Sequence, residues 1–160
     1  MGEVRSMRQE HRKWLWWLAV GLWIAVVLSL SSDRFSAEST SRFLAPLVRW
    51  IYPAISAETE QLLQFLARKG AHAFEYAVLA ALAFQALRQS SSPWRAAGLA
   101  LALVLAVAVA DETRQAFSAA RTGSPVDVAL DVAGGAALLL LLAGIRRLSR
   151  VRRLQREAAG

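Results

Sequence analysis

Residues 96–135, AAGLALALVLAVAVADETRQAFSAARTGSPVDVALDVAGG, decide the fold. The first 15 carry no charge, an acidic and basic cluster follows, and residues 126–145 form a second apolar run broken only by Asp127 and Asp131. Two further runs precede them, residues 14–30 and residues 71–87. A membrane span needs about 20 apolar residues at about 1.5 Å each. Four runs of this kind predict an all-α integral membrane four-helix bundle. The run at 96–110 is short, so its helix must extend at one end, and Asp111 and Glu112 are thereby drawn toward the membrane.

Composition agrees with this reading. Of 160 residues, 56% are hydrophobic and 19% charged, against about 45–50% and about 25% in soluble domains. There is no cysteine, which excludes disulfides, thiolate nucleophiles and cysteine metal sites. The formal charge is +7, and its distribution orients the bundle. Twelve of the 19 basic residues lie before the first run, between the second and third, or after the fourth. By the positive-inside rule both termini are expected in the cytoplasm, in a multi-pass membrane protein. Trp14, Trp16, Trp17, Trp50, Tyr52 and Trp94 read as interfacial anchors.

The main competitor for the first run is a signal peptide. Its 17 apolar residues exceed the about 7–15 of a signal core, and its tryptophans are unusual for one. Residues 1–13 read as a basic cytoplasmic N-terminus, 14–145 as the membrane domain and 146–160 as a basic cytoplasmic tail. That tail does not imply nucleic acid, because anionic headgroups attract such segments and no RNA- or DNA-binding motif accompanies it. In the first outer connection, Phe43, Leu44, Leu47, Val48, Trp50 and Ile51 with Arg42 and Arg49 predict a short amphipathic helix on the leaflet. Ser56 is placed to cap a further helix that leads into the second span near Gly70.

Ionisable residues inside spans are costly, so each marks a candidate site. Lys69, His72, Glu75 and Tyr76 form a polar stripe at the outer end of the second span. Asp111, Arg114 and Gln115 share a face at the end of the third, beside Glu112, with Arg121 in the loop beyond. Ser124, Pro125 and Asp127 stand in the order of N-cap, first helical residue and capping-box acid, and Asp131 lies one turn deeper. Gly134 and Gly135 with flanking alanines predict close helix packing. Because these spans share their outer ends, the three groups are expected to meet in one acidic pocket.

Lys69, His72, Tyr76 and Leu79 resemble a K-x-x-H-x-x-x-Y-x-x-L segment of the VanZ-like family of small bacterial membrane proteins. Asp111, Glu112, Gln115, Phe117, Arg121, Ser124, Asp127 and Gly134 resemble its longer second signature, while Asp131 stands where that family commonly shows Asn. The resemblance covers roughly residues 14–145 and implies a four-helix membrane protein. For the family's namesake it also implies low-level resistance to the glycopeptide teicoplanin.

Function must still be argued from the site. As an enzyme on a lipid-linked or cell-envelope substrate, the protein would use His72 as general acid or base, since imidazole exchanges protons near neutral pH, and Glu75 would orient it. Glu112 and Asp127 complete the candidate catalytic set. With Asp111 they are also candidate oxygen ligands for a hard divalent cation, and the sequence names no cofactor. Lys69, Tyr76, Asp111, Gln115, Arg121, Ser124 and Asp131 are the candidate binding residues, Arg121 for a phosphate or carboxylate. As a non-catalytic binder, the protein would hold an amphiphilic ligand such as a lipoglycopeptide or an envelope precursor in the same pocket. A proton or ion transporter is the weaker alternative, because apart from Gln85 the inner half of the bundle is apolar.

Overall fold

The computed structural model describes residues 2–31, 37–117 and 124–158. These form five helices: α1 (Gly2–Leu30), α2 (Ala37–Ile51), α3 (Ala57–Leu87), α4 (Pro93–Ala116) and α5 (Pro125–Ala158). Four of them, α1, α3, α4 and α5, are long and apolar enough to cross a membrane. The starts of α3 and α5 and the ends of α1 and α4 lie together with α2 at one end of the bundle, the α2 end.

The short third run is resolved by extension at both ends. Pro93 opens α4, where its fixed φ suits the first helical position, and the helix continues through Asp111, Glu112 and Gln115. The helix capped by Ser56 leads into the second span through Gly70 as one unbroken helix, since α3 runs for 31 residues, about 46 Å at 1.5 Å per residue. Its polar first turns therefore extend past a hydrocarbon core of about 30 Å. Both terminal segments also continue span helices, since α1 starts at Gly2 and α5 ends at Ala158.

α2 is the amphipathic helix expected from its sequence, and it docks on the projecting part of α3. Arg49 Nε donates to Glu60 Oε2 at 2.8 Å, and Gln64 Nε2 donates to Glu60 Oε1 at 3.1 Å. Glu60 is buried by this arrangement, while Trp50 stays 80% exposed. Ser56 caps α3 by accepting the Thr59 N–H at 3.2 Å. Ser56→Ala is expected to cost about 1 kcal/mol. Hydrogen exchange should show it as faster exchange in the first turn of α3, with the amides around Ala80 unchanged.

α4 shows how the bundle closes. Ala96, Ala100, Val104 and Ala108 are buried at intervals of four, and Asp111, Glu112 and Gln115 continue the buried face. A step of four advances only about 40° around a helix, so a single face is small and apolar for three turns and then becomes polar. α3 repeats the pattern with Phe84, Ala83, Ala80 and Leu79 leading to Tyr76, and α5 with Leu139 and Gly135 leading to Asp131. Small residues on these faces let the helices approach closely, as membrane packing requires. At Gly134 the approach is backbone to backbone: a Cβ there would lie 2.4 Å from the Ala73 carbonyl oxygen. At Gly135 it would meet the Ala80 Cβ at 3.2 Å. α1 joins through buried Val20 and Val27, and its Trp23 indole N–H donates to the Glu75 carbonyl at 2.9 Å.

Candidate functional site

The polar ends of these buried faces form one layer near the α2 end. Its firmest part surrounds Asp111, which is 1% exposed. Ser31 Oγ, just past α1, donates to Asp111 Oδ2, and Gln115 Nε2 donates to the same oxygen at 2.9 Å and to Ser31 Oγ at 2.6 Å. Arg114 Nη2 donates to Asp111 Oδ1 at 2.8 Å and to the Leu28 carbonyl at 2.7 Å. The guanidinium thus also serves the exposed carbonyls at the end of α1, where a cation is favourable. Asp111, Arg114 and Gln115 occupy one face of α4 as their spacing implies, and the network ties α1 to α4.

Glu112 works differently. Its Oε2 accepts the Ser124 backbone N–H at 2.8 Å, immediately before α5. In a capping box the acid three residues into the helix would take that N–H. The expected capping-box role of Asp127 is therefore not observed, and Glu112 of α4 performs it. Asp127 pairs instead with Lys69 of α3, because an ammonium is a stronger partner for a carboxylate than a neutral amide. Lys69 also lies 5.5 Å from the centre of the Phe65 ring. Ser124 contributes its carbonyl to the Asp127 N–H at 2.9 Å and its hydroxyl to the Val126 N–H at 3.2 Å.

At the centre are Tyr76 and Asp131, 0% and 2% exposed. The Tyr76 hydroxyl and Asp131 Oδ1 have no hydrogen-bond partner. Tyr76 lies within electrostatic range of Asp111, Asp131, Glu112 and Glu75, and Asp131 within range of Glu112, Asp127, Asp111 and Lys69. His72 and Glu75 are half-buried on α3, and both are engaged with neighbours.

The structure thus brings Lys69, Tyr76, Asp111, Glu112, Gln115, Ser124, Asp127 and Asp131 into one layer from three spans. Ser31 adds a fourth, and sequence reasoning missed that role, although the serine-rich stretch after the first run resembles the VanZ-like family. Arg121 lies outside the described residues. The expected divalent site is not assembled: among the described residues no three His, Asp or Glu side chains converge to hold a metal. Asp111, Glu112 and Asp127 each turn to a different protein partner.

Beside the layer, a cleft of about 380 Å³ opens between α4 and α5. Val109, Thr113, Ala116, Pro125 and Val128 line it, with Glu112 and Ser124 as its polar members. Glu112 therefore belongs both to the cleft and to the buried layer.

No curated protein and no solved structure matches the chain. A family model described as VanZ/LLP1 matches residues 16–146, from the first span well into the fourth. That match contains the whole polar layer and the close α3–α5 contact. The chain is a multi-pass membrane protein and belongs to the VanZ/LLP1 family.

Proposed function

We propose that this protein binds a cell-envelope or lipid-linked ligand at the α2 end of its bundle, facing outward from the bacterial cytoplasmic membrane with both termini inside. The basic residues concentrated at the opposite end, including Arg146, Arg147 and Arg150 along α5, support that orientation. One observation carries the binding reading. Tyr76 and Asp131 are buried and unpartnered in a layer where Asp111, Glu112 and Asp127 all have donors. Buried polar groups are nearly always paired, so two orphans in one layer point to groups that a ligand completes.

Recognition also suits the carboxylates better than turnover does. Asp111 and Asp127 are held by cations and Glu112 by a backbone N–H, which fixes their positions. The adjoining cleft is apolar, as the chain of an amphiphile requires. A lipoglycopeptide such as teicoplanin and the lipid-linked precursors of the envelope both have that character.

Expression in a teicoplanin-susceptible bacterium is expected to raise the inhibitory concentration of teicoplanin, and Glu112→Gln to abolish the increase at unchanged membrane abundance. Native mass spectrometry of the purified protein should likewise find a retained envelope lipid that Glu112→Gln loses. A variant that loses protein in proportion to resistance would make Glu112 structural. Wild-type protein that retains no such lipid and gives no resistance would refute the reading.

A further inference from the structure

We propose that the ligand of this site is an amphiphile whose head carries a protonated amine, held at Glu112, within electrostatic range of the buried Asp131 and Tyr76, while its chain lies in the cleft between α4 and α5. The proposal rests on the binding function above and names the class of ligand.

Charge supplies the first argument. Five carboxylates, Glu75, Asp111, Glu112, Asp127 and Asp131, stand at this end of the spans with Lys69, His72 and Arg114, while Arg121 lies outside the described residues. Lys69 is paired with Asp127 and Arg114 with Asp111. Among the described residues, no cation pairs with Glu112 or Asp131. Excess negative charge of this kind in a poorly hydrated layer attracts a cation and repels a phosphate or carboxylate head.

Hydrogen-bonding capacity supplies the second argument and is independent of net charge. Asp131 Oδ1 is an acceptor without a donor, and the Tyr76 hydroxyl can both accept and donate. An ammonium brings three donors and no acceptor, which matches this deficit. A phosphate head would add acceptors where they are already in surplus.

Shape selects the amphiphile over a small free cation. Glu112 is the residue common to the charged layer and the apolar cleft, so a head placed on it directs an attached chain along Val109, Thr113 and Val128.

The test is a three-way competition. Purified full-length protein in neutral detergent is offered dodecylammonium, dodecanol and dodecyl phosphate at equal concentrations, and bound species are counted by native mass spectrometry. One dodecylammonium per chain is expected, with a Kd lower than that of either competitor by about tenfold or more, as a charge-assisted contact provides. Asp131→Asn and Glu112→Gln should each erase that preference, whereas Leu140→Ala, at a 73% exposed position on α5, should keep it. Equal binding of all three probes, or preference for the phosphate, would overturn the amine proposal and leave the binding function standing. Saturable binding of none would likewise overturn the amine proposal, and the teicoplanin and retained-lipid measurements would then decide the binding function separately. The wild-type comparison decides the matter even where a variant fails to fold, which circular dichroism detects.

Discussion

Gly134→Ala is expected to lower the thermal stability of the solubilised protein more than the same change at any other described glycine. The added Cβ would lie 2.4 Å from the Ala73 carbonyl oxygen and 3.0 Å from its carbonyl carbon and Cα. All three are backbone atoms of α3, so no side-chain rotation relieves the clash and the helices must separate. Forcing an extra carbon into a close-packed interface costs about 1–3 kcal/mol, and a rigid backbone contact belongs at the upper end or beyond. Separation would also disturb Tyr76 and Asp131, which lie on the same contact. Gly144→Ala provides the control, because nothing lies within 4 Å of its added Cβ. There helix propensity alone acts and favours alanine by up to about 1 kcal/mol. Gly135→Ala should fall between the two, since its nearest neighbour is the Ala80 methyl at 3.2 Å. Unfolding curves followed by circular dichroism would rank the three, and equal midpoints for Gly134→Ala and Gly144→Ala would rule out the close α3–α5 approach.

Asp111→Ala should have the second large effect. It removes the acceptor shared by Ser31, Gln115 and Arg114. Breaking a buried charge pair costs about 3–5 kcal/mol. The Arg114 side chain is 47% exposed and can recover solvation, so the loss should lie near about 3 kcal/mol. Arg114→Ala should cost a comparable amount, because it leaves the Asp111 carboxylate, 1% exposed, with only the neutral donors of Ser31 and Gln115. The damage should appear first in α1, which the network fastens to α4, as faster proteolysis between α1 and α2 in Asp111→Ala than in wild type. Unchanged stability in this variant would mean that the network contributes nothing.

The four spans were legible in the sequence because a bilayer reads length and apolarity, both local properties. The polar layer was legible in outline for a related reason: Tyr76, Asp111, Glu112 and Asp131 interrupt apolar faces at the ends that topology places together. The choice of partners was not legible. Ser124, Pro125 and Asp127 carry the pattern of a capping box, yet Lys69 draws Asp127 away and Glu112 fills its place. Which acid wins depends on how α3, α4 and α5 are rotated about their axes, and sequence periodicity within one helix does not contain that angle. The stripe at Lys69, His72, Glu75 and Tyr76 shows the same limit. Six residues past Lys69, Glu75 is well off its face by about 120°, and Tyr76 is wholly buried while Glu75 is half-buried. The metal expectation failed because shared bilayer depth brings carboxylates near one another without aiming them at one point.

The central claim is that side chains from separate spans meet in one layer at the α2 end. The chain has no cysteine, so cysteine pairs can be introduced without background. Ser31→Cys with Gln115→Cys tests the α1–α4 contact, whose side chains are 2.6 Å apart, and Lys69→Cys with Asp127→Cys tests α3 against α5. In native membranes treated with a short bifunctional thiol reagent, both pairs should cross-link within a single chain, and a pair at the exposed positions Phe74 and Leu105 should not. Cross-linking of neither pair above that exposed control would contradict the account.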